Sequence, residues 1–282
     1  MPFTPDNLGL SETGLPLLRD LIHERTGLFY DNGRYDMLSD RLAPLVLERG
    51  FASFLDFYYL LKYDDRSANL EWNAVMDALS VQETYFWRES DQLEALARHV
   101  MPELQAAAHG WPIRIWSVPC ATGEEPLSIA IVLNEHGWFR RAEIEIHASD
   151  GSAAAIGKAK LARYRERSFR ALPDTLRDKY FERHPDGSSS PIPELAGRIS
   201  SWSIVNLMSK DEAQWYARAP VIFCRNVFIY FSAEGVRQVT AMFADSMPTP
   251  GFLFVGASES LLSATDRFTL EEHDKTFVYV KR

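Results

Sequence analysis

Two adjacent glutamates follow a glycine turn near the middle of the chain, and their position suggests ligand binding. They belong to Ala121-Thr-Gly-Glu-Glu-Pro126, after an apolar run that begins at Ile113. A strand, a glycine turn and a helix start form the usual ligand-binding turn of α/β proteins. Gly123 would let the backbone approach a ligand closely. Two carboxylates beside a helix N-terminus argue against a phosphate and favour a cationic or hydroxyl-rich ligand.

The same acids also have a purely structural explanation. Acidic side chains in the first turn of a helix interact favourably with the helix dipole, and Pro126 suits that turn. Spacing alone does not separate this role from ligand binding by Glu124.

An acid ends the second apolar run, in His147-Ala-Ser-Asp150. A carboxylate at this point, roughly 20 residues or more beyond a glycine turn, is placed to accept ribose hydroxyls. The structural explanation is an N-cap, because Gly-Ser-Ala-Ala-Ala-Ile after Asp150 begins a helix, and the two roles are compatible because they use different lone pairs.

Two further stretches carry polar residues beside aromatic ones. Arg225 and Asn226 follow an apolar strand and would face the ligand crevice, while Tyr230 and Phe231 behind them fit a core position as well as a site. The stretch 80–89, SVQETYFWRE, either inserts aromatic side chains into a domain interface or contributes to the site.

Strand-like runs alternate with helical stretches from about residue 73 onward, which predicts a mostly parallel sheet covered on both faces. These runs are Ile113–Ser117, Ile144–Ala148, Val221–Cys224, Phe252–Gly256 and Thr276–Val280. The last segment, from Phe268, alternates on both sides of a polar turn and predicts an antiparallel hairpin at the sheet edge.

The N-terminal part is predicted to be helical. Helical spacing indicates one helix from Leu15 that stops at Gly27, a second over 34–49 interrupted by Pro44, and a third over 54–63. We therefore divide the chain into a helical domain at 1–75 and a catalytic α/β domain at 76–282. A loop-rich stretch at about 165–205, with possible strands at Ile192 and 198–205, is predicted to be an inserted β subdomain.

Composition excludes several classes of function. The formal net charge of -9 disfavours non-specific binding to nucleic acid. No apolar run approaches the roughly 20 residues that span a bilayer, and the N-terminus has no signal-peptide pattern. The two cysteines suggest no disulfide framework, and no histidine or cysteine spacing fits a metal site. A cytoplasmic protein without a bound metal is expected.

Together these motifs resemble the CheR-type chemotaxis receptor methyltransferases. The matching segments occur in the family's order: ETYFWRE at 83–89, IWSVPCATGEEPLSIA at 115–130, HASD at 147–150, VNL at 205–207, FCRNVFIYF at 223–231 and GFLFVGASESL at 251–261. The resemblance extends from about residue 80 to the C-terminus. It implies a class I S-adenosylmethionine-dependent methyltransferase fold, a Rossmann-like mixed sheet, behind a small helical domain.

The resemblance also implies a reaction and a set of residues. Glutamate side chains on the cytoplasmic helical region of a chemoreceptor-like protein would be methylated, and S-adenosylhomocysteine would be released. Arg88 would hold the methionine carboxylate of the cofactor and Asp150 its ribose. Arg98 and Tyr230 are the candidates for orienting the incoming carboxylate. The full implied cofactor set is Gln82, Thr84, Arg88, Glu124, Asp150, Asn206, Leu207, Arg225 and Asn226.

The chemistry agrees with this assignment, because a glutamate carboxylate is ionised at neutral pH and needs no general base. Two alternatives stay open: the same fold with a different acceptor, and a signalling protein that binds S-adenosylmethionine without turnover.

The family is also expected to present a basic N-terminal helix to its receptor. Here the stretch 34–49 carries three arginines with three acids between them.

Overall fold

The computed structural model describes residues 12–64, 68–107 and 112–282. In its described part, the N-terminal domain contains four α-helices: α1 (Leu15–Thr26), α2 (Tyr35–Glu48), α3 (Phe54–Tyr63) and α4 (Ala68–Leu79). The three helices predicted here are confirmed, and Gly27 ends α1 in the left-handed conformation. Pro44 lies inside α2 without ending it.

Apolar side chains at helical spacing hold these four helices together. The fully buried ones include Leu18 and Ile22 of α1, Leu42 of α2, Phe57 of α3 and Val75 of α4. Helix α4 continues to Leu79, so the predicted domain boundary at residue 75 falls inside this helix.

The C-terminal domain is built on a seven-stranded sheet in the order β5-β2-β1-β6-β7-β9-β8. Its strands are β1 (Ile113–Ser117), β2 (Ile144–Asp150), β5 (Ile199–Ile204), β6 (Val221–Phe223), β7 (Gly251–Phe254), β8 (Thr269–His273) and β9 (Thr276–Lys281). The strands β5, β2, β1, β6 and β7 are parallel to one another. Strand β9 pairs antiparallel with β7, and β8 pairs antiparallel with β9. The predicted mixed sheet and its antiparallel C-terminal hairpin are therefore confirmed.

Helices cover both faces of this sheet. They are α5 (Ser90–Ala95), a π-helical turn (Leu96–Val100), α6 (Met101–Ala106), α7 (Glu124–Glu135), α8 (Ala153–Leu161), α9 (Asp174–Tyr180), α10 (Pro193–Ala196), α11 (Lys210–Ala213) and α12 (Ala233–Ser246). Two apolar clusters of the described residues, one on each face, form the core.

The inserted segment differs from its prediction at one strand. A two-stranded antiparallel sheet, β3 (Phe181–Arg183) with β4 (Ser189–Pro191), forms the small subdomain. The strand expected near residues 198–205 instead becomes β5, which pairs parallel with β2 at the edge of the main sheet. Its hydrogen bonds are with a strand distant in sequence, so local composition did not reveal this partner.

Three further findings concern the described residues. Both cysteines in the described part of the chain, Cys120 and Cys224, are buried and have free thiols. The described residues contain no cluster of three or more side chains suited to a metal ion. Among them there is also no helix with the length and apolarity to cross a membrane.

Candidate functional site

Two adjoining cavities lie at the carboxyl ends of β1, β2 and β6. The first has a volume of about 170 Å³ and reaches the helical domain; the second, of about 50 Å³, lies beside the loop at 80–89. Both are lined by Val81, Pro119, Ala121 and Asn226, so they meet along these residues. This is the edge at which parallel α/β sheets bind ligands.

The glycine turn after β1 depends on an unusual backbone. Gly123 has a φ of 97°, and a Cβ there would lie 2.9 Å from both Trp202 and the Tyr164 hydroxyl. Ala121, which lines both cavities, also has a positive φ, of 46°. Both the positive φ and the close packing therefore require a glycine at position 123. The turn places the start of α7 beside the second cavity.

Asp150 lies in the floor of the first cavity. Its carboxylate accepts hydrogen bonds from the amides of Ala121 at 2.9 Å and Ser152 at 2.8 Å. Burial raises the pKa of Asp150, and these two amides oppose the rise. The N-cap of α8 is Ser152, whose hydroxyl accepts from the Ala155 amide, so the capping alternative for Asp150 is wrong.

The two glutamates of α7 face different surroundings. The carboxylate of Glu124 accepts from the hydroxyls of Thr122 at 2.6 Å and Ser168 at 2.9 Å, and it lines neither cavity. Glu125 lines the second cavity and accepts from the Ser117 hydroxyl at 2.7 Å. Successive residues on a helix point about 100° apart, which explains why only one of the pair reaches the cavity.

A buried arginine lies beside Glu125. The Nε atom of Arg225 is 3.3 Å from Glu125 and 3.7 Å from Glu89, while Nη2 donates to the carbonyl of Arg88 at 2.7 Å. Burial raises the pKa of Glu125, and the charge of Arg225 opposes this. Among the described residues, neither Nε nor Nη1 of Arg225 has a hydrogen-bond partner, although both atoms are buried. Nε already lies beside two carboxylates, whereas Nη1 can still bind an anionic group.

The loop at 80–89 lines both cavities, and its aromatic side chain Phe86 packs in the core of the C-terminal domain, where the prediction had placed the loop's aromatic side chains at a domain interface. Phe86 is fully buried and stacks on Phe169 with ring centroids 5.0 Å apart, which anchors the loop in the core. On either side of this anchor, Gln82 lines the first cavity, and Thr84 and Arg88 line the second. Lys158 donates to the side-chain carbonyl of Gln82 at 2.8 Å.

The remaining predicted cofactor residues also lie at the cavities. Asn206 and Leu207 line the first, and the amide of Asn206 donates to the Arg25 carbonyl of α1 at 2.6 Å. Asn226 has a φ of 58° and lines both cavities. Glu124 is thus the one member of the predicted cofactor set outside the cavity walls.

The two predicted catalytic residues occupy different regions. Tyr230 lines the first cavity, where the helical domain meets the sheet. Arg98 lies in the π-helical turn with more than half of its side chain exposed, pairs with Glu94 at 2.8 Å, and lines neither cavity.

Several residues of the site were missed by sequence reasoning. The helical domain supplies Tyr30, Arg34 and Arg41 to the first cavity. Tyr30 is buried, and burial raises the pKa of its hydroxyl against the opposing charge of Arg41. Two aromatic residues and one arginine close together at 28–34 were the available signal, but only the packing of the two domains brings them to the cavity.

Glu259 is a second missed residue, and it holds the loop that carries Asn226. Its carboxylate accepts from the amides of Asn226, Phe228 and Gly256, each at 2.7 Å. Glu259 lies in the GFLFVGASESL segment, to which no site role was assigned. A single carboxylate therefore fixes the turn between β6 and Tyr230.

Family models and individual relatives match almost the whole chain. Residues 82–277 match the CheR methyltransferase SAM binding domain, and residues 14–80 match the CheR methyltransferase all-alpha domain. Chemotaxis protein methyltransferase 2 of Vibrio cholerae is 34% identical, with 96% of this chain and 94% of the relative covered. The chemotaxis protein methyltransferase of Salmonella typhimurium is 31% identical, covering 93% and 89% respectively.

Proposed function

Because the chain belongs to the CheR methyltransferase family, we propose that it methylates glutamate side chains on the cytoplasmic helical region of a chemoreceptor-like protein. The products would be glutamate methyl esters and S-adenosylhomocysteine. The chain is a methyltransferase with S-adenosylmethionine as its cofactor, and the acceptor and its ester product are the new part of this proposal.

One observation carries the proposal: a charged cavity opens into an apolar one that ends at the helical domain. Arg88, Glu125 and Arg225 line the charged cavity, and Asp150 in the first cavity accepts a hydrogen bond from the amide of Ala121, which lines both. A zwitterionic group would fit beside Arg88, Glu125 and Arg225, and a ribose beside Asp150. The acceptor would then reach the shared walls through the first cavity, past Tyr230.

The donor set of the charged cavity fits the cofactor. The free Nη1 donor of Arg225, together with Arg88, would hold the methionine carboxylate, and Glu125 would hold the ammonium. Asp150 would accept ribose hydroxyls, since each of its oxygens keeps lone pairs after one amide bond. Gln82, Thr84, Asn206, Leu207 and Asn226 complete the proposed set.

When bound, the cofactor supplies an electrophilic methyl group on a positively charged sulfur. The acceptor carboxylate is already ionised at neutral pH, so no protein group has to remove a proton. The protein's part is to align carboxylate and methyl group and to exclude water. Opposite charges are neutralised as the methyl group is transferred, so the buried walls of the first cavity favour the reaction.

Two tyrosines of the site would orient the acceptor carboxylate. Tyr230 and Tyr30 both line the first cavity, one from each domain, and each can donate a phenolic hydrogen bond. Arg98 lies outside both cavities and has no part in this proposal.

The test is methyl transfer from labelled S-adenosylmethionine to the purified cytoplasmic fragment of a receptor from the same organism. We expect base-labile label on the receptor, and loss of that label when its glutamates are changed to glutamine. Label that resists base, or label released only to small molecules added as acceptors, would overturn the glutamate claim. Cofactor binding without any transfer would support the non-catalytic alternative.

A further inference from the structure

A buried tyrosine lies behind the wall of the second cavity without lining it. Tyr164, in the segment between α8 and β3, is 3% exposed and lies outside both cavities. Its hydroxyl donates a hydrogen bond to the carbonyl of Thr122 at 3.0 Å. Thr122 directly follows Ala121, which lines both cavities, and precedes Gly123. Tyr164 therefore supports the glycine turn from outside the cavities.

The sequence of the turn leaves the Thr122 carbonyl in need of this donor. In a helix, a carbonyl accepts from the amide four residues later, and the residue four positions after Thr122 is Pro126, which has no amide hydrogen. Burial and the nearby charge of Glu124 raise the pKa of the Tyr164 hydroxyl, so it remains protonated and donates. The hydroxyl thus replaces a helical hydrogen bond that proline excludes.

The ring of Tyr164 contacts the other loop of the second cavity. The rings of Tyr164 and Phe86 meet edge to face, with centroids 4.8 Å apart. Phe86 anchors the loop at 80–89, and Thr84 and Arg88 on either side of it line the second cavity. One side chain therefore contacts both the glycine turn and this loop, and each of them supplies part of the cavity wall.

The main chain of Tyr164 is fixed by the small β subdomain. Its amide donates to the carbonyl of Ser189, the first residue of β4, at 2.9 Å, and the Ser189 amide donates back at 2.8 Å. Tyr164 is thus held in place before any ligand binds. Walls that are ordered in advance lower the entropic cost of binding.

We propose that Tyr164 is a positioning residue for S-adenosylmethionine, which holds the glycine turn and the loop at 80–89 at the separation that the second cavity requires. The hydroxyl positions the turn, and the ring positions the loop through Phe86. Loss of either contact lets the walls shift, although every side chain that lines the cavity is retained. The proposal concerns cofactor binding alone, so it does not depend on which group accepts the methyl.

Tyr164→Phe tests the hydroxyl, because it keeps the ring. We expect the Kd of S-adenosylhomocysteine, measured by isothermal titration, to rise about fivefold, because the turn loses one hydrogen bond. Tyr180→Phe is the matched control. Tyr180 is 4% exposed and belongs to the same apolar cluster, and its hydroxyl bonds Asn134 and Glu135 outside both cavities. The control should lower the melting temperature by a similar few degrees and leave the Kd unchanged.

Tyr164→Leu tests the ring. It removes the contact with Phe86 as well as the hydroxyl, and the Kd should rise about tenfold or more. In methyl-transfer assays, Tyr164→Phe should raise the KM for S-adenosylmethionine about fivefold and leave kcat within about twofold, since weaker walls bind ground state and transition state equally less well.

The controls separate a positioning role from a loss of stability. An unchanged Kd in Tyr164→Phe would overturn the proposal. An equal rise in Tyr180→Phe would also overturn it, because it would trace the effect to lower stability in general. Titration of S-adenosylhomocysteine requires no acceptor, so it decides this proposal independently of whether a receptor glutamate is methylated.

Discussion

The backbone amide of Phe29 in the helical domain donates a hydrogen bond to the carbonyl of Tyr230 in the methyltransferase domain at 2.8 Å. An isolated β-bridge between Leu28 and Phe231 lies beside it. The segment after α1 therefore supports the segment that carries Tyr230. The helical domain is in this way part of the site as well as a neighbour of it.

Gly27 tests this relationship because it has a matched partner. Gly27 and Gly50 both have a φ of 78°, so alanine at either position costs about 1 kcal/mol of stability. A Cβ on Gly27 would lie 2.6 Å from the Phe231 ring, whereas no atom of the described residues, apart from the chain neighbours, lies within 4 Å of one on Gly50. In Gly27→Ala the clash would displace Phe231 and the neighbouring Tyr230, and we expect kcat to fall about tenfold or more. Gly50→Ala should leave kcat unchanged. Equal kcat values with equal melting temperatures would contradict the idea.

Glu259→Gln should destabilise the loop between β6 and Tyr230. The substituted amide retains one acceptor oxygen and directs an NH2 group at backbone amides that now bind a carboxylate. We expect a loss of about 2 kcal/mol in the free energy of unfolding, measured by urea denaturation, and weaker binding of S-adenosylhomocysteine. Glu234→Gln is the control, because Glu234 is exposed and pairs only with Arg237 among the described contacts.

Asp150→Ala should weaken S-adenosylhomocysteine binding about tenfold or more, because the proposed ribose acceptor is lost. It also removes the bonds from the Ala121 and Ser152 amides, so stability falls as well. Ser152→Ala separates the two effects, since it removes the N-cap of α8 at a cost of about 1 kcal/mol. Calorimetry should show weaker binding for the first variant and nearly unchanged binding for the second. The same affinity loss in both would assign Asp150 a structural role.

Glu124→Gln and Glu125→Gln form a pair of neighbouring substitutions with opposite expected outcomes. Glu124 bonds two hydroxyls away from the cavities, so its replacement should lower stability by about 1 kcal/mol and preserve cofactor affinity. Replacing Glu125 removes the charge beside Arg225 and should reduce cofactor affinity about tenfold. Isothermal titration of S-adenosylhomocysteine into both variants measures the two affinities. A larger loss of affinity in Glu124→Gln would show that Glu124, and not Glu125, binds the cofactor.

The affinity for the cofactor should fall as the pH is lowered from 7 toward about 5. Burial holds the folded-state pKa of Glu125 above its usual value, so ionising Glu125 costs stability as the pH rises from 4.5 through that raised pKa. A bound ammonium would lower the pKa of Glu125 and remove this cost, so cofactor binding would release protons from Glu125. Binding that releases protons becomes weaker as the pH falls. Glu125→Gln should flatten the pH dependence, whereas Glu124→Gln should retain it. An equally steep dependence in the Glu125 variant would exclude this residue as its source.

Local sequence was sufficient for the elements whose signals are local. The strand Ile113–Ser117, the helix that stops at Gly27 and the C-terminal hairpin all follow from periodicity and turn chemistry over short stretches. Ordered motifs identified the family and its cofactor, and all of the implied cofactor set except Glu124 lines the two cavities.

Tertiary structure alone decided which residues face one another. Only the rotation of α7 against the sheet determines that Glu125 lines a cavity while Glu124 bonds Thr122 and Ser168. Likewise, the pairing of β5 with β2 and the approach of Tyr30 to the first cavity arise from contacts between segments far apart in sequence. Such contacts depend on how whole helices and strands pack against one another, so the local pattern of residues does not predict them.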